Sequence, residues 1–202
     1  MRTSPLIAAK SKTKELGAFF KPRELRRLSI SFRTLQQLVS AGEVEKIAPG
    51  LYRRAEVEPT EHETVAMVCS AIPNAIVCLL SALSFYEIGT QIPRNIWIAL
   101  DRKSRIPKAH GLPVRIVRFS GPMLRYGITT RELQGVPVRI TSPARTVVDC
   151  FRYRNKIGLD VAMEALHDSI RSRTATVDEI VRAADVCRAR TVIQPYLEAL
   201  SI

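Results

Sequence analysis

Long apolar runs are scarce in this 202-residue chain: the longest, Ala75 to Phe85, is about half of what crosses a bilayer. Leu6–Ala9 is the one apolar stretch ahead of Lys10, Lys12 and Lys14, too short for a signal peptide, so a soluble cytoplasmic protein without membrane contact is expected. Four cysteines (Cys69, Cys78, Cys150, Cys187) lie far apart with no C-x-x-C pair, which argues against a disulfide frame and for reduced, mostly buried thiols. Histidines number three. His62-Glu63 is followed by Ala66 where a zinc protease needs its second histidine, and His110 and His167 read as surface residues. Walker A, G-x-G-x-x-G and G-x-S-x-G signatures are missing, as is any Cys/His metal spacing, so the chain reads as a non-enzyme with no cofactor and no metal. Acids are few as well, 19 against 31 Lys+Arg, for a net +12. Such a charge favours a polyanionic partner, with nucleic acid first.

What is present is an ordinary globular composition, 46% apolar and 25% charged, unevenly charged along its length. Residues 1–58 carry +6, 59–101 carry −3, 102–158 carry +11 and 159–202 carry −2; Arg102 to Arg131 holds eight basic residues and no acid. The sign change near Val57–Pro59 places a domain boundary there, giving domains at 1–57 and 59–202.

In the first domain, Leu6, Ile7 and Leu16 ahead of Gly17 predict a helix closed by a glycine. Pro22 opens a short helix to about Leu28. After Ser29-Ile30-Ser31, with Ser31 as cap, a helix from Phe32 to Ala41 buries Leu35, Leu38 and Val39, and Phe32 is expected in the core. Val44–Ile47 and Leu51–Arg54 flank a Pro49-Gly50 turn and read as a β-hairpin. Helix, helix, turn, helix and hairpin is the order of a winged helix-turn-helix. The outer face of its third helix offers Arg33, Thr34, Gln36 and Gln37 to base edges of double-stranded DNA. Lys46, Arg53 and Arg54 of the hairpin, with Arg102, Lys103 and Arg105 from the second basic block, are the candidates for phosphates.

The remainder reads as an α/β domain with a small mixed sheet and a helical tail, making the whole chain α+β. Thr60 with Glu63 forms a capping box for a helix to about Ala71, and Leu79–Ile88 is helical. Strands follow at Ile96–Leu100, Val114–Phe119, Gly127–Leu133 and Val136–Ile140, the last two joined by a Gln134-Gly135 turn. Alternation in Val114–Phe119 predicts one basic, solvent-open sheet face carrying Arg115 and Arg118. Ser142-Pro143 opens a helix, and three more occupy about Gly158–Arg173, Val177–Ala189 and Val192–Leu200.

Two other readings compete with DNA recognition. Asp101-Arg102-Lys103 after a strand, with Glu87 upstream, has the residue types of a Mg-dependent DNA nuclease, although Glu87 falls in a helical stretch. Alternatively, the basic faces serve a protein-interaction module for an acidic partner, which predicts no salt-sensitive DNA binding.

The run Gly42-Glu43-Val44-Glu45-Lys46-Ile47-Ala48-Pro49-Gly50-Leu51-Tyr52 is similar to the winged-helix domain of the AbiEi family, the antitoxins of type IV toxin–antitoxin systems. Leu80–Ser84 with Thr90–Pro93, and Ile140–Lys156, resemble segments of that family's C-terminal region. The resemblance implies a bacterial, cytoplasmic transcriptional repressor of its own operon, bound to inverted repeats in the promoter. It also implies an abortive-infection antitoxin that counters a nucleotidyltransferase-like toxin without needing to bind it. The C-terminal region would then contribute to antitoxicity and could add positive residues to DNA binding.

Overall fold

The computed structural model describes residues 5–106 and 111–200, so Lys108 and His110 of the second basic block lie outside the described residues. The chain groups into two compact units, one of residues 5–73 with 111–112 and 132–138, the other of residues 74–106, 113–131 and 139–200.

The first unit opens with α1 (Pro5–Thr13), β1 (Phe19–Phe20) and α2 (Pro22–Leu25), the last continuing into a 3₁₀ turn at Arg26–Leu28. Then come α3 (Phe32–Ser40), the hairpin of β2 (Val44–Ala48) and β3 (Leu51–Arg54), and α4 (Glu63–Ala71). The strands form an antiparallel sheet in the order β1-β3-β2, with Phe20 opposite Tyr52 and Lys46 opposite Tyr52 on the other side. Phe20 and Tyr52 stack with ring centroids 6.1 Å apart, over a core of Leu25, Ile30, Leu35, Leu38 and Val44. Gly50 holds the hairpin turn at φ +73°, a conformation that costs glycine little.

Three local expectations change here. β1 was not foreseen, because two adjacent buried phenylalanines are too short a run to show alternation. α1 ends at Thr13, before Gly17; that glycine instead meets Gly135, where an added Cβ would come 2.6 Å from the Gly135 carbonyl oxygen. Thr60 and Glu63 form no capping box: His62 occupies the cap of α4, and the Glu63 carboxylate pairs with Arg53.

The second unit holds β4 (Ile76–Val77), α5 (Leu79–Phe85), β5 (Ile96–Asp101), β6 (Val114–Phe119), a 3₁₀ turn at Gly121–Leu124, and most of β7 (Ile128–Leu133) and β8 (Val136–Thr141). Five helices follow: α6 (Pro143–Arg152), α7 (Arg154–Ile157), α8 (Leu159–Arg171), α9 (Val177–Val186) and α10 (Arg190–Leu200). The sheet is mixed, in the order β6-β5-β4-β8-β7, with β4 antiparallel to β5 and parallel to β8, and β5 parallel to β6. Gln134 and Gly135 both take positive φ (+50° and +75°), as a two-residue hairpin turn requires. Val147, Val148, Cys150 and Phe151 of α6 share a core with Ile76, Trp97, Ala99, Val117 and Phe119 of the sheet. The α+β class, with a winged-helix-like first part and a small mixed sheet and helical tail after it, is what the structure has.

The helix expected over Leu79–Ile88 stops at Phe85, and Glu87 follows in the left-handed region at φ +55°. β4 precedes it, hidden in the sequence because its two residues run through Cys78 straight into the apolar start of the helix with no turn residue between. All four cysteines are buried free thiols, and burial pushes Cys69 up to about 12 and Cys187 to about 11.

A buried arginine fixes the turn ahead of β7. Arg145, wholly inaccessible, pairs through Nε with Asp149 Oδ2 at 3.0 Å and donates from Nη1 to the Tyr126 carbonyl (2.8 Å) and from Nη2 to that of Met123 (3.3 Å). Its guanidinium lies 5.0 Å from the Phe119 ring centroid. Gly127 passes so close that a Cβ there would sit 2.8 Å from the Arg145 Cβ.

Candidate nucleic-acid interface

The first unit places α3 as a surface helix. Ser31 caps it, its Oγ accepting from the Thr34 N–H at 3.1 Å. Leu35 and Leu38 are fully buried, which anchors the inner side of the helix by roughly 1.5–3 kcal/mol per side chain. Positions 33, 36 and 37 then share the outer stripe at i, i+3 and i+4, and Arg33, Gln36 and Gln37 are all exposed. Thr34 differs: it is half-buried and its Oγ1 lies 2.9 Å from Ser31 Oγ, so its hydroxyl serves the cap. Phe32, expected in the core, is 62% exposed at the first position of the helix, ahead of the turn whose Leu35 and Leu38 are buried.

Cations around this helix fall into two groups. Lys46 on β2 is exposed and forms no ion pair among the described residues. Arg53 and Arg54 are committed. Only 11% of the Arg53 side chain is exposed; it pairs with Glu63 (2.7 Å) and Glu45 (3.5 Å) and donates to the Val57 carbonyl (2.7 Å). Arg54 pairs with Glu56 at 3.0 Å. Lys10 and Lys14 likewise meet Glu43 and Glu56, and the Glu43 bond holds the Lys10 ammonium above the usual lysine range. Burial moves Lys21 the other way, its Nζ donating to the Ala71 carbonyl at 2.6 Å.

Sequence reasoning missed the other uncommitted group. Arg23 on α2 and Arg26 and Arg27 on the 3₁₀ turn are exposed and form no ion pair among the described residues. The signal was available in Arg23-Glu24-Leu25-Arg26-Arg27, where the apolar position is single and the arginines surround it.

In the second unit, Arg102, Lys103 and Arg105 are exposed on the turn after β5. Asp101 builds that turn: its Oδ1 accepts the Lys103 N–H at 2.8 Å, while Arg118 Nη1 donates to the Asp101 and Ser104 carbonyls at 2.8 and 3.0 Å. The carboxylate of the nuclease-like triplet is thus occupied as a turn former, and Glu87 lies beyond the end of α5. Among the described residues, no three His, Cys, Asp or Glu side chains group to hold a metal ion.

The basic sheet face expected from β6 does not form. Residues 115, 117 and 119 share one side and 114, 116 and 118 the other, so Arg115 and Arg118 point to opposite faces. Arg115 lies over the Trp97 ring, 5.5 Å from its centroid, and Arg118 is spent on the turn.

No helix among the described residues is long and apolar enough to cross a membrane. No curated protein matches the chain. A family model described as transcriptional regulator, AbiEi antitoxin, matches residues 15–55, the stretch that holds β1, α2, α3 and the β2–β3 hairpin. Residues 15–55 are therefore similar to the regulator domain of the AbiEi antitoxin family.

Proposed function

We infer that this protein is a DNA-binding autorepressor and the antitoxin of a type IV pair, acting against a nucleotidyltransferase-like toxin. The observation that carries the DNA reading is the outer stripe of α3. Arg33, Gln36 and Gln37 stand exposed on a helix locked from beneath by Leu35 and Leu38, beside the uncommitted Arg23, Arg26, Arg27 and Lys46. Arginine suits guanine and glutamine suits adenine in the major groove, while the flanking cations neutralise phosphates without reading sequence. The base-reading elements all lie within 1–57, and 59–202 is assigned to antitoxicity; Arg102, Lys103 and Arg105 offer a second set of phosphate contacts. The antitoxin assignment rests on the family match at 15–55.

Binding of the purified chain to its own upstream DNA and to a scrambled fragment, across a salt series, tests the repressor reading. Preference for the native fragment is expected, with log K falling against log salt at a slope near −5 for roughly five to seven phosphates. Gln37→Ala should narrow the preference by about 1–3 kcal/mol while leaving that slope intact. Equal binding to both fragments would reduce the cations to non-specific electrostatics, and no binding at low salt would favour an acidic protein partner. Relief of growth arrest when the chain is co-expressed with a neighbouring nucleotidyltransferase-like gene tests the antitoxin half.

A further inference from the structure

We propose that Phe32 reads a thymine methyl group in the major groove, an inference that rests on the DNA-reading role of α3. Single exposed apolar residues are common on protein surfaces, so position and type carry the argument. Of the large apolar side chains that the described residues leave exposed, Phe32 is the one aromatic. Leu35 and Leu38 take the inner side of α3 at zero exposure, while Phe32 stays 62% exposed. It occupies the first position of the helix, directly after the Ser31 cap, at the end that recognition helices present to base edges. Gln36 follows it at i+4, and Arg33 and Gln37 occupy the adjoining strip, so one apolar reader stands beside three polar ones.

The surroundings fit an uncharged apolar group close to phosphates. With Pro22, Leu25 and Ile30, Phe32 lines a cleft bordered by Arg23 and Arg26. Among the four bases only thymine offers such a group in the major groove, its C5-methyl, and phenylalanine is one of the side chains suited to contact it. The arginines hold the strand while the ring meets the methyl.

The test begins by enriching duplexes from a randomised pool on the wild-type chain. Each thymine of an enriched duplex is then replaced singly by deoxyuridine, which removes the methyl and leaves base pairing intact. Wild type should bind one or more of these substituted duplexes roughly four-fold more weakly, the factor for one methyl-sized group withdrawn from water. Phe32→Ala should bind thymine and uracil versions alike at that position, and Phe32→Leu should keep part of the discrimination. If no thymine is methyl-sensitive in the wild type, or if Phe32→Ala shows the same loss, the assignment is overturned. If nothing enriches, the DNA-reading role itself fails, and the two failures are thereby told apart.

Discussion

Arg27 and Arg53 bring the same charge into different surroundings. Arg53 is held by Glu63, Glu45 and the Val57 carbonyl, whereas Arg27 stands exposed on the 3₁₀ turn before α3. Replacing Arg53 strands a half-buried carboxylate and a carbonyl, so Arg53→Ala should cost about 1–3 kcal/mol in urea denaturation and leave the salt slope of DNA binding unchanged. Arg27→Ala should do the reverse, leaving stability within about 0.5 kcal/mol and making the slope shallower by about 0.9. A destabilised Arg27→Ala, or a flattened slope in Arg53→Ala, would exchange their roles.

Asp149 gives a pH dependence whose sign is fixed by its burial. One oxygen accepts from Arg145 and the other, Oδ1, has no partner among the described residues; burial pushes the carboxyl up to about 6 against the opposing pull of Arg145. The native state then holds the proton more tightly than the unfolded chain, whose aspartate titrates near ~4. The stability this group contributes is full below about pH 4 and is lost as pH rises through 6. Because asparagine does not titrate, the unfolding free energy of wild type minus that of Asp149→Asn isolates the effect. That difference should fall by up to about 1.4 kcal/mol per pH unit between pH 4 and 6 and level off above 7. A flat difference across that range would place the carboxyl's titration elsewhere.

At the scale of elements, α3 is a nine-residue helix and depends on its cap and its inner leucines. Ser31→Ala removes the acceptor for the Thr34 N–H and the partner of its hydroxyl, and should destabilise the protein by about 1 kcal/mol in thermal or urea melts. An unchanged midpoint would mean that water satisfies that N–H equally well. This helix was legible in the sequence from the Ser31 cap and the Leu35–Leu38 spacing, and so were its exposed Arg33, Gln36 and Gln37. β6 was legible as a strand, but the distribution of its arginines was not. Phe119 has the parity of Arg115, whereas Val114 and Ile116 have that of Arg118, so period two never put both arginines on one face. The pattern was apolar on both sides with two interruptions, and each arginine found a local use.

At the scale of the whole molecule, the chain crosses between its two units. The first unit includes α4 and 132–138 in addition to the winged-helix elements. Contacts within that unit show what α4 supplies: Ser70 Oγ donates to the Phe19 carbonyl at 3.1 Å, Ala71 accepts from Lys21, and Glu63 pairs with Arg53. A fragment of residues 1–57 loses all three, and a fragment of residues 1–73 keeps them. The shorter fragment should show a weaker and less cooperative thermal transition by circular dichroism. Equal transitions would make the winged helix self-sufficient at 57.

By itself the sequence determined the positions of most helices and strands, the hairpin turns at Pro49-Gly50 and Gln134-Gly135, and the exposed outer face of α3. Those features follow from periodicity, caps and turn residues, which act within a few positions of the chain. Tertiary structure alone decided which charges remain available. Arg53 differs from Arg27 only in what folding brings within hydrogen-bond reach. Phe32 was left exposed, and Arg145 was enclosed together with Asp149 and the Tyr126 and Met123 carbonyls, which accept its N–H groups. Core volume is shared among residues distant in sequence, and a side chain's place depends on which others have already filled it.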